Sequence, residues 1–305
     1  MNKISFSFVM TTCESFSSHR NMLQLKKLIN FKIPWIAYFM DPYAYFIKNR
    51  GCAGKLLETE RQVYEQSDLI FVTEEIYEEN QNNAFTPFLY KTKPFKFGNF
   101  RFIDNKLKNQ IFDKDKINCV FVGSLLNKSI RDPEYLYKVI NNVSDKYLFH
   151  MICNNLSSDN KKQADNEINA KDRVRWYNNL TLNECLGIIN NADVLINLGN
   201  KSLNQTPSKI FDYIGTGRPI VNFHSLKNDT SKRYLEQYPN KLNIFEDSDL
   251  IMEETKKFID FAESNKGYVV SKTDLENLYQ SYQSSKVTKD TVKEIEILLA
   301  ARGID

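Results

Sequence analysis

Short apolar runs alternate with stretches carrying helix-start signals along most of the chain, and this alternation constrains the fold more than any other feature. Ile33–Phe39, Leu69–Thr73, Ile117–Val122, Tyr147–Cys153, Val194–Asn197 and Pro219–Phe223 are strand-like. Between them, Asp132-Pro133 predicts an N-cap followed by proline at the first helical position. Leu136, Val139, Ile140 and Val143 follow at helical spacing. Thr181-Leu-Asn-Glu184 is a capping box, and Thr206-Pro207 predicts another capped start. Strand, helix, strand in succession implies crossover units and parallel sheets, with helices on both faces of nearly continuous apolar strands. The expected class is α/β, built as two doubly wound units facing a cleft. Polar residues at 110–116 place the boundary, giving residues 1–112, 113–285 and a closing helix within 286–305.

Composition excludes several classes. With 305 residues, 42% hydrophobic and 26% charged, the chain is an ordinary globular protein of about two domains. It has no apolar run long enough to span a membrane, and its first twenty residues read as strand and loop rather than a secretion signal. Against 38 acidic residues stand 41 basic ones, too even a balance for a nucleic-acid binder. The stretch from Lys91 to Lys108 is basic; it reads as a solvated face or as contact with an anionic membrane surface. Five cysteines without a close pair argue against a disulfide framework or a zinc site and point to a reducing cytoplasm. Three separated histidines suggest no metal motif.

In open parallel sheets, ligands bind beyond the carboxyl ends of the strands. Three such ends in the second half carry suitable chemistry. Gly123 and Ser124 follow Val122, where glycine lets backbone approach a ligand; Lys128 and Arg131 come next and could neutralise a diphosphate. An ordinary tight turn fits the same residues. Tyr177 and Asn178 precede the capping box and could stack on and hydrogen-bond a base, or simply pack the domain edge. The third end runs from Asn204 to Val221. Thr206, Pro207 and Ser208 open a helix whose start attracts anions, and Lys209 lies in its first turn, where a cation is disfavoured unless an anion is near. Asp212, three residues on, shares that face and could accept hydrogen bonds from a ribose. Gly217 ends the short helix.

The stretch PSKIFDYIGTGRPIV resembles the signature of retaining, family-4-type GT-B glycosyltransferases. VFVGSLLNKSIRDPEYL and RVRWYNNLTLNECLGIINNADVLIN are similar to the nucleotide-sugar domain of that family. KIPWIAYFMDPY and ERQVYEQSDLIFVTEE resemble its acceptor domain in the bacterial polysaccharide subgroup, here shortened. Asp212 stands where the family has Glu, and Asn204-Gln205 stand where it has another acidic residue.

The resemblance implies two Rossmann-like domains, the first reduced. It implies transfer of a sugar from a nucleotide-diphosphate donor to a carbohydrate or lipid-linked acceptor, in surface polysaccharide synthesis. Retention at the anomeric carbon, no obligatory metal and no cofactor besides the donor substrate go with it. Lys209 and Arg131 would then stabilise the leaving diphosphate, and Asp41 would orient or deprotonate the acceptor hydroxyl. Glu74, Glu75 and His19 have weaker claims on the acceptor side. The small first half predicts a homodimer or pairing with a partner transferase. The expected location is cytoplasmic, including the inner face of the membrane. Two other readings fit: a sugar-nucleotide epimerase, and a non-catalytic descendant that binds a partner.

Overall fold

The computed structural model describes residues 6–12, 16–29, 31–43, 53–96, 100, 111–125, 130–153 and 156–304. The chain opens with β1 (Val9–Thr12), α1 (Ser17–Leu28), β2 (Trp35–Phe39), α2 (Ala53–Gln66), β3 (Leu69–Thr73), α3 (Glu74–Asn80) and β4 (Thr92–Phe95). It continues through β5 (Ile117–Val122), α4 (Glu134–Asn142), β6 (Tyr147–Ile152), α5 (Ser158–Glu167), β7 (Val174–Tyr177) and α6 (Leu182–Asn191). Then come β8 (Val194–Leu198), α7 (Lys209–Thr216), β9 (Ile220–His224), α8 (Thr230–Leu235) and β10 (Lys241–Phe245). Three helices close it: α9 (Ile251–Asn265), α10 (Lys272–Leu278) and α11 (Ser284–Ala301).

Two compact units divide the chain. One joins residues 1–98 to 281–305; the other spans 99–280. The sequence sets its boundaries at 112 and 285, so residues 281–285 belong with the closing helix and that helix belongs to the first unit.

The first unit is a four-stranded parallel sheet in the order β1-β2-β3-β4. A sheet that grows in one direction by right-handed crossovers places every crossover helix on the same face. Accordingly Trp35, Ala37 and Phe39 of β2 pack against Met22 and Leu23 of α1, Val63 and Tyr64 of α2, and Ile76 of α3. The alternate residues face the other way. Ile36, Leu69, Phe71 and Phe95 bury themselves under Ile295 of α11, with Val287, Leu298 and Leu299 packed beside it. The closing helix thus supplies the second cover that the crossovers cannot.

The second unit is a six-stranded parallel sheet, β10-β9-β8-β5-β6-β7. The chain steps outward from β5 to β6 and β7, returns to the other side of β5, and steps outward again. Reversal of direction puts helices on both faces. One face buries Leu136, Val139 and Ile140 of α4, Ala164 of α5, and Phe258 and Ala262 of α9 with the strands. On the other, α7 packs between α6, α8 and α10. Fully burying a side chain such as Phe149 or Phe258 stabilises by about 1.5–3 kcal/mol.

Local signals explain the helix ends. The capping box of α6 forms: Glu184 N–H donates to Thr181 Oγ1 at 3.3 Å, and Thr181 N–H to Glu184 Oε2 at 2.7 Å. Asp132 Oδ1 accepts from Glu134 N–H at 3.1 Å, with Pro133 as the N-cap of α4 rather than its first residue. α7 begins later than Thr206-Pro207 suggests. Pro207 C=O first closes a tight turn on Ile210 N–H, and the helix proper starts at Lys209 with Ser208 as N-cap.

Candidate nucleotide site at the switch point of the second sheet

In a doubly wound sheet the crevice outside the strand ends opens where the winding direction reverses. Here that point lies between β5 and β8. The loops leaving those strands begin Gly123-Ser124 and Gly199-Asn200, and they meet again where Lys201 N–H donates to Ile130 C=O at 2.7 Å. A cavity of about 290 Å³ lies beside that point, at the carboxyl ends of β5 and β6 and the starts of α6 and α7, lined by Val122, Gly123, Ser124, Ile152, Leu180, Leu182, Cys185 and Lys209. Its wall is mostly aliphatic, with backbone at the turn and one ammonium at the rim.

Lys209 comes from the first turn of α7. Its Nζ lies 2.8 Å from Asp212 Oδ2, the side chains being 34% and 11% exposed, so the lysine is the partner an incoming ligand reaches. α7 itself is locked to the strand end. Val122 N–H donates to the buried Tyr213 hydroxyl at 2.7 Å. At the far end of α7, Gly217 adopts φ 72°, and a Cβ there would lie 2.3 Å from Val270 C=O. Only glycine allows this closeness, which also lets Val270 N–H donate to Gly217 C=O at 2.8 Å.

Arg131 approaches the same turn from the other side. Its Nη1 donates to Ser124 C=O at 3.2 Å and stands 3.5 Å from the place a Gly123 Cβ would occupy. Its Nε and Nη2 both donate to Asn200 Oδ1, at 3.1 and 2.8 Å. Burial lowers its pKa from the usual value, opposed by the nearby Tyr213, Asp229 and Cys153. Cys185, in the cavity wall, has its thiol pushed up by burial and stays neutral.

Of the other residues read from the sequence, Thr206 and the exposed Ser208 lie in the loop leading into α7. Tyr177 ends β7, two strands from the switch point, and its hydroxyl sits 3.1 Å from His150 Nδ1 with the rings stacked. It is held by the sheet and lies outside the cavity lining; Asn178 follows it, exposed. Lys128 and two of the five cysteines, Cys13 and Cys52, fall outside the described residues. Asp41 stands just past the carboxyl end of β2 in the first unit, half-buried. Glu74 and Glu75 occupy the first turn of α3, where carboxylates complement the helix dipole, and Thr73 caps that helix. His19 is fully buried, its Nδ1 2.6 Å from Thr11 Oγ1, and burial lowers its pKa to about 4. The basic stretch is partly turned inward: Lys91 donates to the C=O groups of Glu65 and Ser67, and Lys93 pairs with Glu294 at 3.1 Å.

The structure adds residues that the sequence did not single out. Asn200 joins Arg131 and Gln205 in one hydrogen-bonded set. Glu246, after β10, sits near Lys201 and Asp132; burial pushes its carboxyl up to about 7, opposed by Lys201 and reinforced by Asp132. Two Asp-x-Asp pairs, 113/115 and 247/249, are turn caps, the first aspartate of each accepting from the backbone N–H of the second. Among the described residues no three His, Cys, Asp or Glu side chains gather as metal ligands, and no helix is long and apolar enough to cross a membrane.

No family model matches the chain, and no curated protein matches it. Solved structures do. The crystal structure of Staphylococcus aureus TarM is 12% identical with a TM-score of 0.62, over 95% of this chain and 54% of that one. The pneumococcal O-GlcNAc transferase GtfA, solved with UDP and GlcNAc, is 11% identical at 0.62, over 88% and 53%. Anabaena Alr3699/HepE, solved with UDP-glucose, is 10% identical at 0.67, over 94% and 78%. The chain thus spans about half the length of the first two. At these identities the likeness defines the fold: the architecture is GT-B, with two Rossmann-like units.

Proposed function

We propose that the chain is a glycosyltransferase that moves a sugar from a nucleotide-diphosphate donor to a carbohydrate or lipid-linked acceptor, in surface polysaccharide synthesis. One observation carries this reading. Two cations from different elements, Arg131 and Lys209, flank the Gly123-Ser124 turn at the switch point, beside an aliphatic cavity that suits a base. Structures of similar fold hold UDP or UDP-glucose, which makes a uridine donor the first to test.

As the sugar departs, negative charge grows on the diphosphate. Lys209, released from Asp212, and Arg131 would meet that charge with groups already in place. Asp212 would then accept from the ribose diol, and backbone at Gly123 and Ser124 would lie against phosphate. Thr206 and Ser208 would add hydroxyls at the start of α7; Lys128, Tyr177 and Asn178 belong to the same proposed donor site. On the acceptor side Asp41 would orient the attacking hydroxyl. Retention of configuration and independence of a metal belong to the same proposal, as does a cytoplasmic location, including the inner membrane face. Assembly with a second copy or a partner transferase belongs to it too. The outer edge of β1 has no strand partner among the described residues, and GtfA of similar fold is solved as a GtfA/B complex.

The test is donor hydrolysis and transfer by the purified chain across UDP-, GDP- and ADP-sugars. Turnover of one class supports the reading. Binding without turnover, restored by a second transferase, supports the non-catalytic alternative. In the same assay EDTA is expected to leave transfer largely intact, because the basic side chains would do the work of a divalent ion. Loss of activity with EDTA and its return with manganese would reject that part.

A further inference from the structure

We infer that Asn200 is a positioning residue that aims the Arg131 guanidinium at the crevice between β5 and β8 and thereby sets its grip on the donor's diphosphate. The inference rests on the donor-site reading above and adds to it a residue and a reason for its chemistry.

Arg131 has a long side chain with much rotamer freedom, which it must lose to present its planar fork in one direction. Two anchors hold it. Asn200 Oδ1 accepts from both Nε and Nη2, at 3.1 and 2.8 Å, and Ser124 C=O accepts from Nη1 at 3.2 Å. These anchors leave the sheet from β8 and β5, the two strands that border the switch point. The guanidinium plane is therefore defined from both sides of the crevice.

Asn200 is itself fixed. It is buried, at 2% exposure, and its Nδ2 donates to both the C=O and the Oε1 of Gln205, each at 3.2 Å. Those two acceptors settle which end of the amide faces Arg131. Gln205 C=O also accepts from Thr230 Oγ1 at 3.1 Å, which ties this loop to α8. The same loop runs on through Pro207 into α7 and Lys209, so one buried amide braces the elements that carry both cations.

The residue type matters. An aspartate could hold the same two donors, but its charge would neutralise the arginine before an anion arrived. A neutral amide orients the cation and leaves its charge to the ligand.

The experiment is titration calorimetry of the full chain with UDP, GDP and ADP and with uridine, guanosine and adenosine. The proteins are the unsubstituted chain, Asn200→Ala, Asn200→Asp, Arg131→Ala and the Asn200→Ala/Arg131→Ala pair. Asn200→Ala is expected to weaken the bound nucleoside diphosphate about tenfold and leave its nucleoside unchanged. On the Arg131→Ala background the same substitution is expected to cost nothing further, because it acts through the arginine. Asn200→Asp keeps the oxygen that Arg131 uses, replaces the donor to Gln205 with a second acceptor and adds a charge, and is expected to lose at least as much for the diphosphate and again nothing for the nucleoside. This variant decides the matter if Asn200→Ala fails to fold. Equal losses for diphosphate and nucleoside, a full loss repeated without Arg131, or an unchanged diphosphate affinity would overturn the inference alone. Failure of the unsubstituted chain to bind any of the three diphosphates would overturn the donor-site reading and the inference with it.

Discussion

Lys209 and Asp212 hold each other at 2.8 Å on one face of α7, and an anion entering the cavity competes for the more exposed partner. Lys209→Ala should therefore weaken a nucleoside diphosphate by about 1.5–3 kcal/mol, the scale of a charge-assisted hydrogen bond, and leave the fold intact. Unchanged affinity in calorimetry would remove Lys209 from the site. A second residue makes a prediction about pH. Glu246 has a folded pKa near 7, above its ordinary value of 4.5, so the folded chain holds a proton that the unfolded chain has released. Its contribution is fully present below about 4.5 and is lost as pH rises through 7. Glu246→Gln keeps the shape without the charge, so its melting temperature should gain on the parent between pH 5 and pH 8. An offset that does not change with pH would contradict this. His19 runs the opposite way. Its folded pKa lies near 4, below 6.5, so its contribution holds above 6.5 and falls away as pH drops through 4. Its ring should show no titration above about pH 5 by NMR. Neither shift is legible in sequence, because both arise from burial that only packing creates. The acid at Glu246 has no local pattern, and His19 in sequence looks like any loop histidine.

At the scale of elements, what the sequence revealed divides by position in the sheet. β2, β3, β5, β6, β8 and β9 are interior strands, buried on both faces, and their continuous apolar runs announce them. The strands that were missed or only loosely placed are the four edges, β1, β4, β7 and β10. β4 contains Pro94, which reads as a breaker but is tolerated where a strand has a neighbour on one side only. β7 carries the exposed Arg175 and Trp176, and β10 is largely half-buried, so neither shows the pattern of a core strand. The Thr181–Glu184 box forms as written because caps are local chemistry, whereas the two proline starts are displaced, to Pro133 and to Ser208 as N-caps. Gly217 is the clearest case of an element end fixed by one residue. Gly217→Ala must place a Cβ against Val270 C=O and keep a left-handed φ, which alone costs about 1–2 kcal/mol. The variant should melt several degrees lower, and an unchanged melting temperature would mean that the turn and the Val270 backbone bond can relax together.

For the whole molecule the consequence of strand order is largest. The second sheet reverses direction once, which covers both faces and opens one crevice; Gly123 and Ser124 were readable there because they directly follow a strand end, and Lys209 because it opens a helix. The first sheet never reverses, so its crossover helices α1, α2 and α3 cover one face only. The other face depends on α11, nearly two hundred residues away in sequence from β4, and no local pattern could have assigned that helix to this unit. Ile295 is the buried residue of α11, at 7% exposure, set against Ile36, Leu69, Phe71 and Phe95. Ile295→Asp would place an unpaired carboxylate in that contact, adding lost apolar burial to a desolvation cost, for a loss of about 3 kcal/mol or more. The second unit keeps its own core under α4 and α9 and its own cavity, and neither includes α11. The variant should therefore lose stability in the first unit while still binding the nucleoside diphosphate with near-parent affinity. Calorimetric melting with and without that nucleotide separates the two: the low-temperature transition should fall, and the nucleotide-induced rise of the other should survive. A parent-like melting profile would show that α11 is dispensable as a cover, and loss of nucleotide binding would show that the second unit does not stand without the first.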